Sequence, residues 1–224
     1  MRGQAMAQRV AVVDPGSGNL ASVVRAFEKA AEDNDIEAVV RVVTAAADLA
    51  EADRIVLPGQ GAFAACRRGL DALPGMVDAL ERRVRGMGVP FLGICVGMQL
   101  MADKGLEHGE TPGLGWIPGA VAPMDPRGAD GRPLPLPQMG WNALSFEEGF
   151  HPVLDGVKPG DQVYFVHSYA YEAEDPEDVV ATTDYGGPVT AIIARGNLAG
   201  LQFHVEKSGP VGLRMLANFL RWEP

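Results

Sequence analysis

Short apolar runs and segments with helical periodicity alternate along the first hundred residues of the chain. The apolar runs are typical of strands buried on both faces of a sheet, and the segments between them carry their apolar residues on one helical face. The predicted strands are residues 9–14, 38–43, 54–57 and the run that leads to Cys95, and the predicted helices are residues 19–31, 45–52, 62–73 and 76–85. Four successive strand–helix units predict a parallel, doubly wound sheet whose functional groups collect at the carboxyl ends of its strands.

The second half of the chain has a different pattern. Residues 109–119 and 123–137 are rich in Gly and Pro and predict a long surface loop or linker. Short strands are predicted at residues 141–146, 162–167, 179–183, 190–195 and 198–203, with tight turns that favour antiparallel hairpins, and a helix at residues 211–222. We therefore predict an α/β fold in which a central, mostly parallel, doubly wound sheet carries an antiparallel β-rich extension. A loose N-terminal extension (residues 1–8) would precede this single domain of residues 9–224.

The composition is that of an ordinary globular protein and argues against several functional classes. Hydrophobic residues make up 47% of the chain, which is ordinary for a globular protein. The sequence contains no uninterrupted run of 18 apolar residues, so no membrane-spanning helix is predicted. A net charge of −10 argues against an electrostatic nucleic-acid binder. Two cysteines do not make a disulfide framework, which favours a reducing, cytoplasmic location. His108 and His151 lack the spacing of metal ligands, so no metal site is expected. No cofactor is expected either.

Residues 89–101, V-P-F-L-G-I-C-V-G-M-Q-L-M, predict a buried strand that turns sharply into a helix at Cys95. Gly93 and Gly97 lie two residues away on either side, which is the spacing of a nucleophile elbow with a thiol in place of the serine hydroxyl. Small flanking residues allow the tight bend, and a helix N-terminus favours the thiolate form of a cysteine. These features favour a nucleophile at Cys95, but taken alone they fit a buried structural cysteine equally well. Cys66, in the middle of a predicted helix, is predicted to be structural.

A second group of reactive residue types occurs in L-Q-F-H-V-E-K-S, residues 201–208, where a predicted strand ends. His204 and Glu206 are two residues apart, so an extended chain would project both side chains to one side, and the carboxylate could orient the imidazole. A cysteine, a histidine and an acid at strand ends give the arrangement of nucleophilic acyl transfer. This chemistry also needs hydrogen-bond donors for an oxyanion, and the candidates are the amide of Val96 and the turn of Gly59, Gln60 and Gly61.

Two other features have plainer explanations. Residues 16–21 match the dinucleotide-binding pattern G-x-G-x-x-A after a strand, but residues 42–44 at the end of the second strand offer no acid for a ribose. A tight or anion-binding turn is the better interpretation. His167 closes a predicted strand in V-Y-F-V-H-S-Y and is more typical of a buried or interface histidine than of a catalytic one.

Together these motifs resemble the class I, or triad, glutamine amidotransferases. G-I-C-V-G-M-Q and L-Q-F-H-V-E-K-S carry that resemblance, and D-P-G-S-G-N-L, P-G-Q-G-A-F, P-Q-M-G-W-N and Y-F-V-H-S-Y narrow it to the glutaminase subunits of imidazole glycerol phosphate synthase, of histidine biosynthesis. The resemblance implies an enzyme that hydrolyses glutamine, with Cys95 as nucleophile, His204 as general base and Glu206 as the residue that orients it. It also implies that the glutamine is held by Gly59, Gln99 and the backbone of Ser168 and Tyr169.

The resemblance further implies a partner. Ammonia from L-glutamine would pass to a separate cyclase subunit of the synthase, a (β/α)8 barrel that makes imidazole glycerol phosphate and AICAR, so that the two chains form a heterodimer. The residues expected at or near the docking face are Gly16, Ser17, Gly18, Asn19, Met139, Trp141, Tyr164 and Lys207. Val205 and Gln60 stand where Pro and Val are usual in the family, so one alternative is a catalytically silent binding subunit. The glutaminase of pyridoxal phosphate synthase is a second alternative, which P-Q-M-G-W-N disfavours.

Overall fold

A computed structural model describes residues 7–224, so the predicted N-terminal extension lies almost entirely outside the described residues. The first strand begins at Gln8, one residue earlier than predicted. The strands are β1 (Gln8–Val13), β2 (Ala38–Val43), β3 (Arg54–Gly59), β4 (Phe91–Cys95), β5 (Lys104–Gly105), β6 (Thr111–Pro112), β7 (Gly119–Pro123), β8 (Gln138–Ser145), β9 (Gln162–His167), β10 (Tyr169–Ala173), β11 (Val179–Asp184), β12 (Pro188–Arg195) and β13 (Leu198–Leu201). The α-helices are α1 (Leu20–Glu32), α2 (Phe63–Asp71), α3 (Met76–Leu80), α4 (Val96–Gln99) and α5 (Gly209–Arg221).

The larger sheet has the order β2-β1-β3-β4-β13-β12-β11-β8-β9. Its first five strands pair in parallel, and the remaining neighbours pair antiparallel. The central parallel strands are buried on both faces, and Val56, Leu92 and Ala199 are fully inaccessible to solvent. Apolar runs without alternation suit this position, because both faces of the sheet are covered. The predicted fold, a mostly parallel sheet with an antiparallel extension, is confirmed.

Helices cover this sheet through amphipathic faces. α1 buries Val23 and Phe27, and the ring of Phe27 packs edge-on against that of Phe219 in α5 at 6.1 Å between centroids. Side chains three and four residues apart share one helical face, so this spacing in the sequence places them all against the core. The predicted helix at residues 45–52 is a short 3₁₀ helix, Ala46–Glu51, and the predicted helix at residues 76–85 ends in a π-helical turn, Glu81–Gly86.

A second, four-stranded sheet in the order β10-β7-β5-β6 was not predicted. Residues 109–119, predicted to be loop, contain β6 and the start of β7. Strands of two residues are too short to show alternation, and Gly and Pro dominate this stretch, so no pattern could reveal them. Pro123 is the last residue of β7, and residues 124–137 hold an isolated bridge between Arg127 and Pro133 and otherwise run as loop and turns. Within residues 7–224, no helix is long and apolar enough to cross a bilayer.

Candidate active site

Cys95 lies at a strained turn between β4 and α4. Its backbone has φ 53° and ψ −115°, a conformation that costs free energy in a non-glycine residue and is found mainly at functional sites. The flanking glycines make the turn possible: a Cβ on Gly97 would lie 1.7 Å from the carbonyl oxygen of Leu57, and one on Gly93 would lie 2.7 Å from that of Gly97. The chain therefore forms the elbow geometry predicted from the glycine spacing.

Three neighbouring parallel strands end at this elbow. Gly59 of β3 pairs with Cys95 of β4, and Leu201 of β13 pairs with Ile94. The segments that follow these strands, which carry Gln60 and His204, consequently meet beside the cysteine. The sheet order thus brings together residues that are more than a hundred positions apart in the sequence.

His204 and Glu206 form a buried pair. The imidazole Nδ1 lies 2.9 Å from Glu206 Oε1, and both side chains are almost inaccessible to solvent. The spacing predicted that an extended chain would bring the two side chains together. Residues Val205–Lys207 instead form a 3₁₀ turn, which folds the carboxylate back onto the ring. Since a carboxylate only accepts, Nδ1 donates to it and Nε2 remains for other contacts.

The charge state of His204 follows from this environment. Burial lowers the pKa of the imidazole, but hydrogen bonds to Cys95 and Glu206, together with their negative charges, outweigh it and raise the pKa to about 9. A histidine with these two neighbours can hold a proton beside the sulfur at neutral pH and release it to a leaving group.

Val205, which replaces the usual proline, does not displace His204. The amide of His204 donates to the carbonyl of Tyr164 at 2.9 Å, and Ser208 Oγ donates to the carbonyl of His204 at 2.7 Å. The amide of Tyr164 in turn donates to Ser208 Oγ at 3.1 Å. These bonds fix the backbone on both sides of His204, so its extended conformation does not depend on a following proline.

Cys95 and His204 open into a pocket of about 360 Å³. Six of the seven residues predicted to bind substrate or an oxyanion line this pocket, namely Gln60, Gly61, Val96, Gln99, Ser168 and Tyr169. Its lining consists of Gln60, Gly61, Cys95, Val96, Gln99, Glu107, Pro137, Val166, His167, Ser168, Tyr169, His204 and Lys207. Gly59, predicted to contact glutamine, is not among the lining residues, and a Cβ at this position would come within 2.8 Å of both Cys66 Sγ and the Gly97 amide nitrogen. Its lack of a side chain lets β3, α2 and α4 pack closely.

Two further residues line the pocket: Glu107, for which no role was predicted, and His167, which was predicted to be a buried or interface histidine. Glu107 Oε2 accepts a hydrogen bond from the Phe63 amide at 2.7 Å, which ties this loop carboxylate to the start of α2. His167 Nδ1 donates to the Tyr169 carbonyl at 2.9 Å, and its buried Nε2 has no partner within the described residues. Burial lowers the pKa of His167 despite that bond, so the ring favours its neutral form. His167 lies in the motif Y-F-V-H-S-Y and Glu107 is a single acid in a loop, and neither pattern indicates a place in the pocket, which only the fold reveals.

Cys66 has the properties expected of a structural cysteine. It is fully buried, and burial raises the pKa of its thiol to about 11. The thiol therefore stays protonated at neutral pH and is a poor nucleophile. Across residues 7–224, no group of three or more His, Cys, Asp or Glu side chains is arranged to hold a metal ion.

An exposed apolar surface lies next to the pocket. Met139 and Trp141 of β8 are 62% and 51% exposed, and Trp141 packs edge-on against Tyr164 of β9 at 5.8 Å between ring centroids. Met139 pairs across the strands with Val166, which lines the pocket, so this surface and the pocket are continuous. Lys207 lines the pocket too. The predicted docking loop is exposed at Gly16, Gly18 and Asn19, but the hydroxyl of Ser17 is buried.

The family model of class I glutamine amidotransferases matches residues 11–222. The chain belongs to this family. It is 52% identical to the imidazole glycerol phosphate synthase subunit HisH of Rhodospirillum rubrum, over 96% of this chain and 100% of that protein. It is 54% identical to the HisH subunit of Granulibacter bethesdensis (96% and 97% covered) and 51% identical to that of Agrobacterium fabrum (96% and 100%). The predicted resemblance is confirmed, and the chain is a glutamine amidotransferase of the HisH type.

Solved structures agree on the fold. A glutamine amidotransferase crystal structure has a TM-score of 0.67 at 20% identity, with 95% of this chain and 97% of that chain covered. A putative GMP synthase protein from Thermoplasma acidophilum has a TM-score of 0.66 at 19% identity, with 97% and 94% covered. At such identities the likeness concerns the fold alone. The three HisH relatives favour the imidazole glycerol phosphate synthase assignment over that of pyridoxal phosphate synthase.

Proposed function

We propose that this chain is the glutaminase subunit of an imidazole glycerol phosphate synthase and that Cys95, His204 and Glu206 are its catalytic residues. The observation that carries the proposal is the His204–Glu206 pair, held beside the elbow cysteine with the imidazole pKa raised to about 9. A raised pKa of this kind keeps the imidazole protonated beside the sulfur, where it can stabilise a thiolate during attack and later give its proton to the leaving group.

In the proposed reaction, the Cys95 sulfur attacks the side-chain amide carbon of glutamine, and the carbonyl electrons move onto oxygen. The Val96 amide and an amide of the Gln60–Gly61 turn donate to this oxyanion. When the tetrahedral intermediate collapses, the carbon–nitrogen bond breaks, and His204 gives its proton to the leaving nitrogen to form ammonia. Water, deprotonated by His204, then attacks the thioester and releases glutamate and the free cysteine.

The pocket offers groups that suit the amino-acid end of glutamine. Gln99 and Glu107, whose carboxylate is anchored by the Phe63 amide, line the pocket and would accept hydrogen bonds from an ammonium group. The backbone of Ser168 and Tyr169 borders the same space. The pocket volume of about 360 Å³ is in the range of small-ligand sites. A substrate held at this end presents its side-chain amide to the elbow.

The surface formed by the exposed side chains of Met139 and Trp141 and the half-buried Tyr164 is the proposed docking site of the cyclase barrel. Lys207 and the loop of residues 16–19 would complete it. Exposed aromatic residues of this kind are frequent anchors of protein interfaces. Because the surface continues into the pocket, ammonia could leave toward the partner without crossing bulk solvent. The cytoplasm keeps free thiols reduced, so two unpaired cysteines, one of them the proposed nucleophile, fit a cytoplasmic location.

Glutamate release by the purified chain, alone and mixed with the cyclase and its nucleotide ligand, tests this function. We expect slow turnover alone and strong stimulation in the complex, since an oxyanion donor that must move into place gates the chemistry. Cys95→Ala should abolish turnover, whereas Cys66→Ala, the matched change at the other cysteine, should retain most of it.

Two outcomes would contradict the proposal. Turnover retained by Cys95→Ala would remove the nucleophile assignment. A wild-type chain that binds the cyclase but releases no glutamate in the resulting complex would favour the alternative of a catalytically silent binding subunit.

A further inference from the structure

Gln202 is a fully buried polar side chain directly behind the catalytic elbow. It follows β13, is 0% exposed, and its backbone amide donates to the carbonyl of Ala191 at 2.9 Å. A buried amide group is costly unless its donors and acceptors are paired. Its side chain contacts two residues of the proposed active site, Gln99 at one atom and Cys95 at the other.

The Tyr169 carbonyl, Gln99, Gln202 and Cys95 are linked by successive hydrogen bonds, and the direction of each bond follows from the first acceptor. The carbonyl of Tyr169 can only accept, so the atom of Gln99 that lies 3.2 Å away must be its nitrogen, Nε2. The same nitrogen lies 3.0 Å from the Gln202 side chain, which must therefore present its oxygen, Oε1, to it. The nitrogen of Gln202 is then left to face the Cys95 sulfur, 3.9 Å away.

We propose that Gln202 is a positioning residue of the glutaminase reaction, which holds the Cys95 sulfur with its amide N–H and the Gln99 side chain with its carbonyl oxygen. The inference rests on the proposed function, since it assumes that Cys95 is the nucleophile. Gln202 would link the group that binds the substrate to the atom that attacks it.

The N–H of Gln202 is a second donor to the sulfur, beside the imidazole of His204. A hydrogen bond to a charged sulfur is stronger than one to a neutral thiol, so Gln202 favours the thiolate over the thiol. The oxygen of Gln202 occupies one donor of the Gln99 amide, and the Tyr169 carbonyl occupies the other. The remaining oxygen of Gln99 is thereby held for the substrate.

Two substitutions separate these effects. Gln202→Met has a similar volume but removes both the donor and the acceptor. Gln202→Glu keeps an oxygen that can accept from Gln99 but replaces the N–H beside the sulfur with a negative oxygen. Alkylation of Cys95 by iodoacetamide as a function of pH, with peptide mapping to separate it from Cys66, reports on the sulfur. KM for glutamine in the complex with the cyclase reports on Gln99.

We expect Gln202→Met to slow alkylation of Cys95 at neutral pH about ten-fold and to move the profile to higher pH, because a hydrogen bond to the thiolate is lost. Gln202→Glu should slow it more, because like charges repel. KM should rise several-fold in Gln202→Met but less in Gln202→Glu, whereas kcat should fall in both. A purely structural role would not move the pH profile.

Asn218→Leu is the matched control. Asn218 is another buried amide, and its Nδ2 donates to the carbonyls of Val153 and Asp155 at 3.0 and 2.8 Å, away from the pocket. The Asn218→Leu substitution should lower thermal stability and leave the pH profile of Cys95 alkylation unchanged. Should Gln202→Met fail to fold, Gln202→Glu, which retains the bond to Gln99, supplies the same measurement.

A wild-type alkylation profile in either folded Gln202 variant would overturn the inference. That result is distinguishable from a failure of the proposed function, which would show instead as turnover retained by Cys95→Ala.

Discussion

Replacing Glu206 by Gln tests how the charge of His204 is set, because it removes a negative charge and keeps a side chain that can accept from Nδ1. Burial opposes the charged ring, yet Cys95 and Glu206 raise its pKa from 6.5 to about 9. That difference corresponds to about 3 kcal/mol in favour of the protonated imidazole. Without the carboxylate, burial is opposed mainly by Cys95, so we expect the pKa of His204 to fall by one unit or more.

The same shift makes a prediction about stability. The pKa of His204 is higher in the folded chain than the ordinary 6.5, so its protonated form stabilises the fold fully below pH 6.5, and this contribution is lost as the pH rises through about 9. The free energy of unfolding of the wild type should therefore exceed that of Glu206→Gln most near neutral and mildly acidic pH. The difference between the two proteins should shrink toward pH 9.

Nuclear magnetic resonance titration of the histidine rings measures this directly. The chain has four histidines, and a His→Gln substitution of each assigns its signal. Burial lowers the pKa of His151 to about 4 and lowers that of His167, so neither should be confused with a ring that titrates near 9. A wild-type His204 that titrates at or below 6.5, or a Glu206→Gln variant with unchanged titration, would refute the reasoning.

Two further predictions concern the docking surface and the elbow. Trp141→Ala should weaken binding of the cyclase at least ten-fold in a titration, with little change in KM for glutamine. The control Phe150→Ala, at an equally exposed (51%) position away from the pocket, should leave binding of the cyclase unchanged. Equal titration curves for the two variants would remove Trp141 from the interface. Gly97→Ala should lower the melting temperature and abolish turnover, because the added Cβ would lie 1.7 Å from the Leu57 carbonyl oxygen. An active, equally stable Gly97→Ala would show that the elbow tolerates a side chain.

The main elements of the fold could be predicted because each has a local signal. The apolar run before Cys95 and the glycines around it indicate a buried strand and a tight turn, and the structure has both. β10 and the two-residue strands carry no such signal. The partner of β10 is the remote strand β7, and β5 and β6, although close in sequence, are too short to show alternation.

The site could be predicted only in part for a similar reason. His204 and Glu206 belong to a recognisable motif, but the turn at Val205 that joins them is set by bonds from Tyr164 and Ser208. Glu107 is a single acid in a loop, and its place in the pocket depends on its bond to the start of α2. Gln202 did offer a signal: it is a polar residue between Leu201 and Phe203, in a stretch otherwise destined for the core.

Acid quenching of the complex during glutamine turnover, followed by peptide mapping, tests directly whether Cys95 carries the reaction. We predict a glutamyl thioester on the peptide that contains Cys95 and none on the peptide that contains Cys66, and the adduct should accumulate when deacylation is slowed. Glutamate release at the full rate with no adduct on Cys95 under any such condition, or an adduct on Cys66, would contradict the proposed mechanism.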